Sequence, residues 1–364
     1  MKKSFLALAA AVTALSMICT ACGVDKSAAE FTRKEQYEPV IAGTEAVRTQ
    51  ADTETDTETA PAEEIATDTN TNTKAAETTK AEEEPEPPKP VNIKDGLTDG
   101  HSFDISDFPD KVYSNKKLKN AFDEIDGICA DYGYNISFAY MNMDTGAVCK
   151  YNEYAQYGCC STIKAPFCKA LLDSGIDLDE EISVTAIWDM DGGKVASSGY
   201  GSTYTAKELI KLAVNRSDNS AYYNLVEHYG FETFNSMSYG LGSDLTLGYG
   251  YIFNYCDVND LLADYVDIYK YAENSRRGEW LVKQMKNTDL DTQIAAQLGD
   301  KYTVAHKYGS DWDQLCFHDC AIVYADSPFV LCVMTAQEPE TKQSCKVFKS
   351  LAKQFDTINS QLAT

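Results

Sequence analysis

Histidine is scarce in this sequence, four residues in 364, which gives little material for a metal centre built on imidazoles. Basic residues are in short supply as well: 32 Lys plus Arg stand against 56 Asp plus Glu, a formal net charge of −24. A surface of that sign repels nucleic acid and anionic lipid headgroups, so neither is an expected partner. The apolar run from Phe5 to Ile18 falls short of the length that a bilayer-spanning helix requires. Cysteine, by contrast, is plentiful. Twelve in an exported chain would ordinarily suggest a disulfide framework, yet the ten after Cys22 are scattered through a region long enough to build an ordinary core. Several sit in apolar runs, where a free thiol packs as a small hydrophobe.

What the N-terminal part does contain is an export layout. Lys2 and Lys3 precede the apolar run, and small residues follow it. Cys22 comes after Thr20 and Ala21, so residues 1–22 resemble a lipoprotein-type signal peptide whose Cys22 receives lipid, although position 19 is Cys where that pattern usually has Leu. Cleavage and secretion without lipid is the alternative. Either way the expected location is outside the cytoplasm, at the outer face of the cytoplasmic membrane if the lipid is attached. Residues 23–95 are Thr, Glu, Ala, Asp and Pro, with 18 Asp plus Glu and 8 Lys plus Arg for a net charge of −10. Such a segment has too little apolar surface to offset the entropy of ordering, and reads as a disordered, extended acidic linker.

Residues 96–364 read as one folded domain. Leu118, Phe122, Ile125 and Ile128 recur at steps of three and four, which predicts an amphipathic helix over residues 115–132. A hairpin turning at Asp144-Thr145-Gly146 follows. Helical patterns then dominate as far as residue 300, and three strands beginning near Tyr302, Cys320 and Pro328 precede a last helix carrying Val347, Leu351, Phe355 and Ile358 on one face. Strands at both ends with helices between predict an α/β (α+β) domain. Its antiparallel sheet joins the first hairpin to the last three strands under the terminal helices, and an all-helical subdomain is inserted. A cleft is expected where the two parts meet.

Three short polar clusters fall in order along this domain: Ser161-Thr162-Ile163-Lys164, Ser217-Asp218-Asn219, and Lys307-Tyr308-Gly309 followed by Ser310. Taken singly each has a bland explanation, since Ser, Asp and Asn cap helices and a Lys near a strand end can simply be solvated. Their conjunction carries more. Ser161 and Lys164 share a helix face, and an amine beside a hydroxyl at a helix start is the arrangement that makes serine a nucleophile. The set S-x-x-K, S-D-N and K-T-G is shared by class A β-lactamases and penicillin-binding proteins. Residues 115–362 resemble the catalytic domain of that serine hydrolase family, and DTGAVCKYN, TAKELIKLAVNRSDNSAYYNL and VAHKYG with HDCAIVY extend the likeness beyond the motifs.

The resemblance implies a β-lactamase/transpeptidase-like fold and a division of labour. Ser161 would be acylated, with Lys164 as its base; Ser217 would relay the proton to the leaving nitrogen; Asn219 would orient Lys164 and the substrate amide. Lys307 would hold the substrate carboxylate, with Tyr308, Gly309 and Ser310 completing that wall, and the backbone N–H groups of Ser161 and Ser310 would form the oxyanion hole. The implied ligand is a β-lactam or a peptidoglycan stem peptide of the D-Ala-D-Ala type. No cofactor and no metal are implied, and a monomer is expected.

Two departures qualify the likeness. Tyr308 stands where the family usually has Thr or Ser, a far bulkier group, although the Ser310 hydroxyl can substitute. More consequentially, the stretch GLGSDLTLGYGYIFNYCDVNDLL contains no Glu, whereas class A β-lactamases place there the glutamate that activates the deacylating water. Asp244 is the nearest acid. The expectation is acylation with slow deacylation; the alternative is a non-catalytic wall-binding or sensory module that retains the fold. Three further readings remain open to the structure. Tyr249, Tyr251, Phe253 and Tyr255 are read as packing under the cleft rather than as an aromatic platform. Cys316, His318 and Cys320 share a strand face but lack a fourth ligand. His306 is read as a strand neighbour rather than a base.

Overall fold

The computed structural model describes residues 103–106, 115–188 and 193–362; the export signal, Cys22 and the acidic linker lie outside them. In chain order its elements begin with β1 (Phe103–Ser106), α1 (Lys116–Tyr132), β2 (Ile136–Asn142), β3 (Val148–Tyr151), β4 (Tyr157–Gly158), α2 (Lys164–Asp173), β5 (Glu181–Ser183), α3 (Lys194–Ser198) and β6 (Thr203–Thr205). They continue with α4 (Ala206–Asn215), α5 (Asn219–Tyr229), α6 (Glu232–Gly240), β7 (Tyr255–Cys256), α7 (Val258–Asn274), α8 (Arg276–Met285) and α9 (Ile294–Leu298). Three long strands and a helix close the chain: β8 (Thr303–Asp311), β9 (Cys316–Tyr324), β10 (Phe329–Ala336) and α10 (Lys342–Leu362).

The expected sheet is present with one addition. Its order is β1-β3-β2-β10-β9-β8, antiparallel throughout. The first hairpin does pair with the last three strands, and β1 adds a sixth strand on the β3 edge. Strands β9 and β10 are apolar on both faces for a reason visible in the packing. Phe317, Ala321, Phe329, Leu331 and Val333 face a core that includes Ile125, Phe348 and Phe355 of the terminal helices. Cys320, Ile322, Val330, Cys332 and Met334 face a second core built with the inserted helices. Cover on both sides removes the polar alternation that a one-sided strand would show.

Local chemistry sets the helix starts. The Asn115 side chain accepts from Lys117 N at 2.9 Å and so caps α1. Thr205 and Glu208 exchange bonds as a capping box at the start of α4. A buried polar cluster fixes α10 against the sheet: Asn359 Oδ1 accepts from Tyr140 Oη at 2.6 Å and from Asn142 Nδ2 at 2.8 Å. The short elements α3, α6 and α9 and the two-stranded pairs β4–β7 and β5–β6 were not expected, being too brief to show periodicity in the sequence. The ten cysteines of the described region are free, and all but Cys345 are buried.

One buried acid stands out on α7. Asp264 is enclosed, and neither carboxyl oxygen has a hydrogen-bond partner. Burial first, then the charges of Asp260 and Asp267, hold its pKa well above the carboxylate range. The folded protein therefore keeps a proton that the unfolded chain releases near pH 4, and stability falls as pH rises through and beyond that value. Asp264→Asn removes this liability. Its melting temperature by circular dichroism should exceed wild type by several degrees at pH 7, with the gap closing toward pH 4; equal or lower stability at pH 7 would contradict a neutral acid at this position.

Candidate active site

The nucleophile candidate is held by backbone as much as by helix. Strand β4 pairs with β7, Cys159 N donates to Asn254 O at 2.8 Å, and the chain then enters a 3-10 turn at Cys160–Ile163 before α2 begins at Lys164. Ser161 thus lies in the turn that leads into the helix rather than in the helix itself. Cys160 adopts a left-handed φ of 49°, a conformation costly for a residue with a side chain and tolerated where surrounding structure enforces it. Tyr265 Oη donates to Thr162 O at 3.0 Å, which ties the turn to α7. Ser161 is partly exposed whereas Lys164 is fully buried.

The three sequence clusters converge. Lys164 Nζ donates to Ser217 O at 2.6 Å and to Asn219 Oδ1, and lies 3.4 Å from Ser217 Oγ. From the opposite side Lys307 Nζ donates to Ser217 Oγ at 2.9 Å and to Tyr308 O at 2.8 Å. Ser217 is itself left-handed, φ 54°, and this places its carbonyl and hydroxyl at the two ammonium groups. Asp218 stabilises that loop. Its carboxylate caps α5 by accepting from Ala221 N at 2.8 Å and reaches Val195 N at 3.1 Å.

Electrostatics make the arrangement reactive. Burial, and secondarily the charge of Lys164, push the Lys307 pKa well below that of an ordinary lysine, with Asp319 opposing in part. Two ammonium groups that share one hydroxyl oxygen repel, so the pair holds its second proton poorly and a neutral amine becomes available as a base. Because Ser217 Oγ accepts from lysine, its own hydrogen is left to point elsewhere, as a proton relay requires.

Strand β8 meets the Ser161 turn at Gly309. A Cβ there would lie 2.8 Å from Cys160 Cβ, 2.9 Å from Ser161 N and 3.0 Å from Thr162 N. Only glycine permits the strand to lie against the main chain of the nucleophile. Ser310, one residue on, is partly exposed. The Tyr308 ring lies across the Lys307 ammonium, 4.0 Å from Nζ to the ring centroid, so the bulky departure from the motif covers the charge it was expected to flank.

Elsewhere the structure places the remaining residues singled out in the sequence. Asp244 is exposed, and its backbone N bonds to Asp260 at the start of α7. The Phe253 ring centroid lies 5.6 Å from Lys164 Nζ, packed among Tyr222 and Trp188. Packing under the cleft therefore holds for Phe253 but not for Tyr249, Tyr251 and Tyr255, which are exposed. His306 is buried between Asp319 Oδ1, 2.8 Å from Nδ1, and Thr288 Oγ1, 2.7 Å from Nε2. Cys316 and His318 do share a face, but they gather with Cys160, while Cys320 sits opposite Cys332 of β10. That meeting of Cys160 with β9 was missed, because it depends on the close approach at Gly309.

The sequence model described as "Beta-lactamase enzyme family" matches residues 117–359. Among solved structures, a mutant of PBP-A in its acyl-enzyme complex with penicillin G is similar with a TM-score of 0.57 at 20% identity, over 68% of this chain and 97% of that one. The class A β-lactamase from Mycobacterium abscessus gives 0.56 at 19% identity, over 67% and 100%. A β-lactamase from Chitinophaga pinensis gives 0.57 at 20% identity, over 67% and 99%. No curated protein matches the sequence. At these identities the structural likeness speaks for the fold.

The Gly309 contact generates a direct test. Gly309→Ala forces a methyl group into the Ser161 backbone, which cannot yield as a flexible side chain would. The variant should lose about 1–3 kcal/mol in urea unfolding; a loss under roughly 0.5 kcal/mol, within the range of ordinary surface changes, would show that the strand and the turn are not tightly apposed.

Proposed function

The chain belongs to the β-lactamase enzyme family, and from that premise we propose that it is a serine hydrolase in which Ser161 is acylated by β-lactams or by peptides ending in D-Ala-D-Ala. The observation that carries this reading is the Ser217 hydroxyl held between the buried side-chain amines of Lys164 and Lys307. Lys164, three residues after Ser161 on the same turn of chain, takes the serine proton as the oxygen attacks the carbonyl. Asn219 keeps that amine oriented through Oδ1. Ser217 hands its hydroxyl proton to the departing nitrogen and regains one from Lys164, 3.4 Å away, which returns to the neutral amine, while Lys307 attracts the substrate carboxylate. The backbone N–H groups of Ser161 and Ser310 serve as the oxyanion hole in this reading, which the close approach of β8 to Ser161 N at Gly309 supports.

Deacylation is the slow half of this cycle. The segment 240–262 carries no glutamate, and an apolar ring, Phe253, occupies the neighbourhood of Lys164. Water attacking the ester has no glutamate base from that loop, and Asp244 there is exposed. Mixing with penicillin G followed by intact-mass analysis should give one stoichiometric adduct on Ser161, absent in Ser161→Ala, that persists through many times its own formation half-time. Rapid return to free enzyme with multiple turnover would defeat the slow-deacylation proposal, and no adduct at all would defeat the acylation proposal.

A second reading, a binding or sensory module without turnover, gains support from Tyr308. Its ring sits on the Lys307 ammonium and must swing aside before a substrate carboxylate can pair there. If Tyr308 is merely a gate, Tyr308→Thr should raise the second-order rate of acylation by fluorescent penicillin roughly tenfold, about 1.4 kcal/mol. An unchanged zero rate in both proteins would favour the non-catalytic module.

A further inference from the structure

Cys160, the residue before the candidate nucleophile, shares a buried pocket with Cys316 and His318, and one ligand atom of each lies within 4.8 Å of the others. The trio invites a metal reading, but the imidazole is committed otherwise. Thr335 N donates to His318 Nδ1 at 3.1 Å, so the neutral ring carries its hydrogen on Nε2, which faces Gly158 O at 2.9 Å. A metal on Nε2 would require that hydrogen on Nδ1, against the Thr335 N–H. Sulfur chemistry fits the pair better. Cys160 Sγ lies 3.3 Å from Gly158 O and Cys316 Sγ 3.7 Å from Gln314 O, and the neighbouring Cys160 thiol lowers the Cys316 pKa against the effect of burial, while that of Cys160 is pushed upward. A thiolate beside a thiol is the starting arrangement for disulfide exchange.

We propose that Cys160 and Cys316 form a thiol modification site for low-molecular-weight disulfides, and that closing it ties the Ser161 turn to β9 and slows acylation. The Cys316 thiolate attacks one sulfur of the small disulfide; that S–S bond breaks and one thiolate leaves with the electron pair. Cys160 then loses its proton to solvent or to the departing thiolate, and its sulfur attacks Cys316 Sγ, expelling the second thiolate. The two protein thiols are oxidised and one small disulfide is reduced to two thiols. The bond needs sulfurs at ~2 Å, and β9 is held by β8 on one side and β10 on the other. The turn therefore yields, and Cys160 adjoins both Ser161 N and Gly309. Access favours this pair: Cys160 is 8% and Cys316 5% exposed, whereas Cys320 and Cys332, which also face each other across two strands, are 0% exposed.

The slowing of acylation rests on the serine hydrolase reading; formation of the bond does not. The full chain, reduced and then incubated with oxidised glutathione, is digested for peptide mapping and labelled in parallel with fluorescent penicillin. The expected result is a Cys160–Cys316 cross-linked peptide together with roughly a tenfold or greater fall in labelling rate, both reversed by dithiothreitol. Cys316→Ser and Cys316→Ala should keep the reduced-state rate and lose the response. A disulfide between other cysteines, a glutathione adduct that never closes, or a closed Cys160–Cys316 bond with unchanged labelling overturns the proposal. The cross-link without labelling in either state supports the thiol site and removes the serine reading instead.

Discussion

Two ammonium groups buried around one hydroxyl are an expensive thing to build. Each loses its hydration shell, and each raises the cost of the other. The surroundings offset this with acceptors and polarisable faces rather than with a full complement of carboxylates. Ser217 O and Oγ, Asn219 Oδ1 and Tyr308 O take the hydrogen bonds, and the rings of Tyr222, Phe253 and Tyr308 flank the charges. The left-handed backbone at Ser217 follows from the same demand. Ordinary backbone at Ser217 would not offer carbonyl and hydroxyl to two lysines at once.

The architecture delivers those groups from separate supports. The helical insert supplies Lys164 on α2 and the Ser217 loop ahead of α5, while the sheet supplies Lys307 on β8. Helix α7 packs between them, its Tyr265 bonding the Ser161 turn and its face lying on β2, β9 and β10. On the other side of the sheet α1 and α10 complete the cover. A sheet buried on both faces is stiff, and this suits a site whose working distances are set by strand position rather than by flexible loops.

Much of this was legible in the chain. The S-x-x-K, S-D-N and K-x-G clusters, the hairpin at Asp144-Thr145-Gly146, and the apolar runs of β9 and β10 announce the family and the sheet, because they express local periodicity and local polar chemistry. What stayed hidden depends on contacts between distant segments. Nothing near Cys160 in the sequence foretells Cys316, nor does Lys307 foretell a neighbouring phenol lying across its own ammonium. Phe253 was read correctly as packing, yet the flanking tyrosines obey the same alternation and turn outward, since alternation identifies faces and not which face is covered. Strand β1 was missed because four residues carry too short a pattern to separate from linker.

The contact at Gly309 is mainly with backbone: the strand rests on the amide nitrogens of Ser161 and Thr162 and on the Cβ of Cys160. Geometry of this sort is insensitive to the identity of most residues around it. Side chains that take no part in the chemistry can be exchanged on either segment so long as one hydrogen atom stands in for a side chain at the crossing point. The alignment of attacking oxygen and polarising amides is thereby decoupled from the walls that select a substrate, so that new pocket shapes can be tried without disassembling the machinery beneath them.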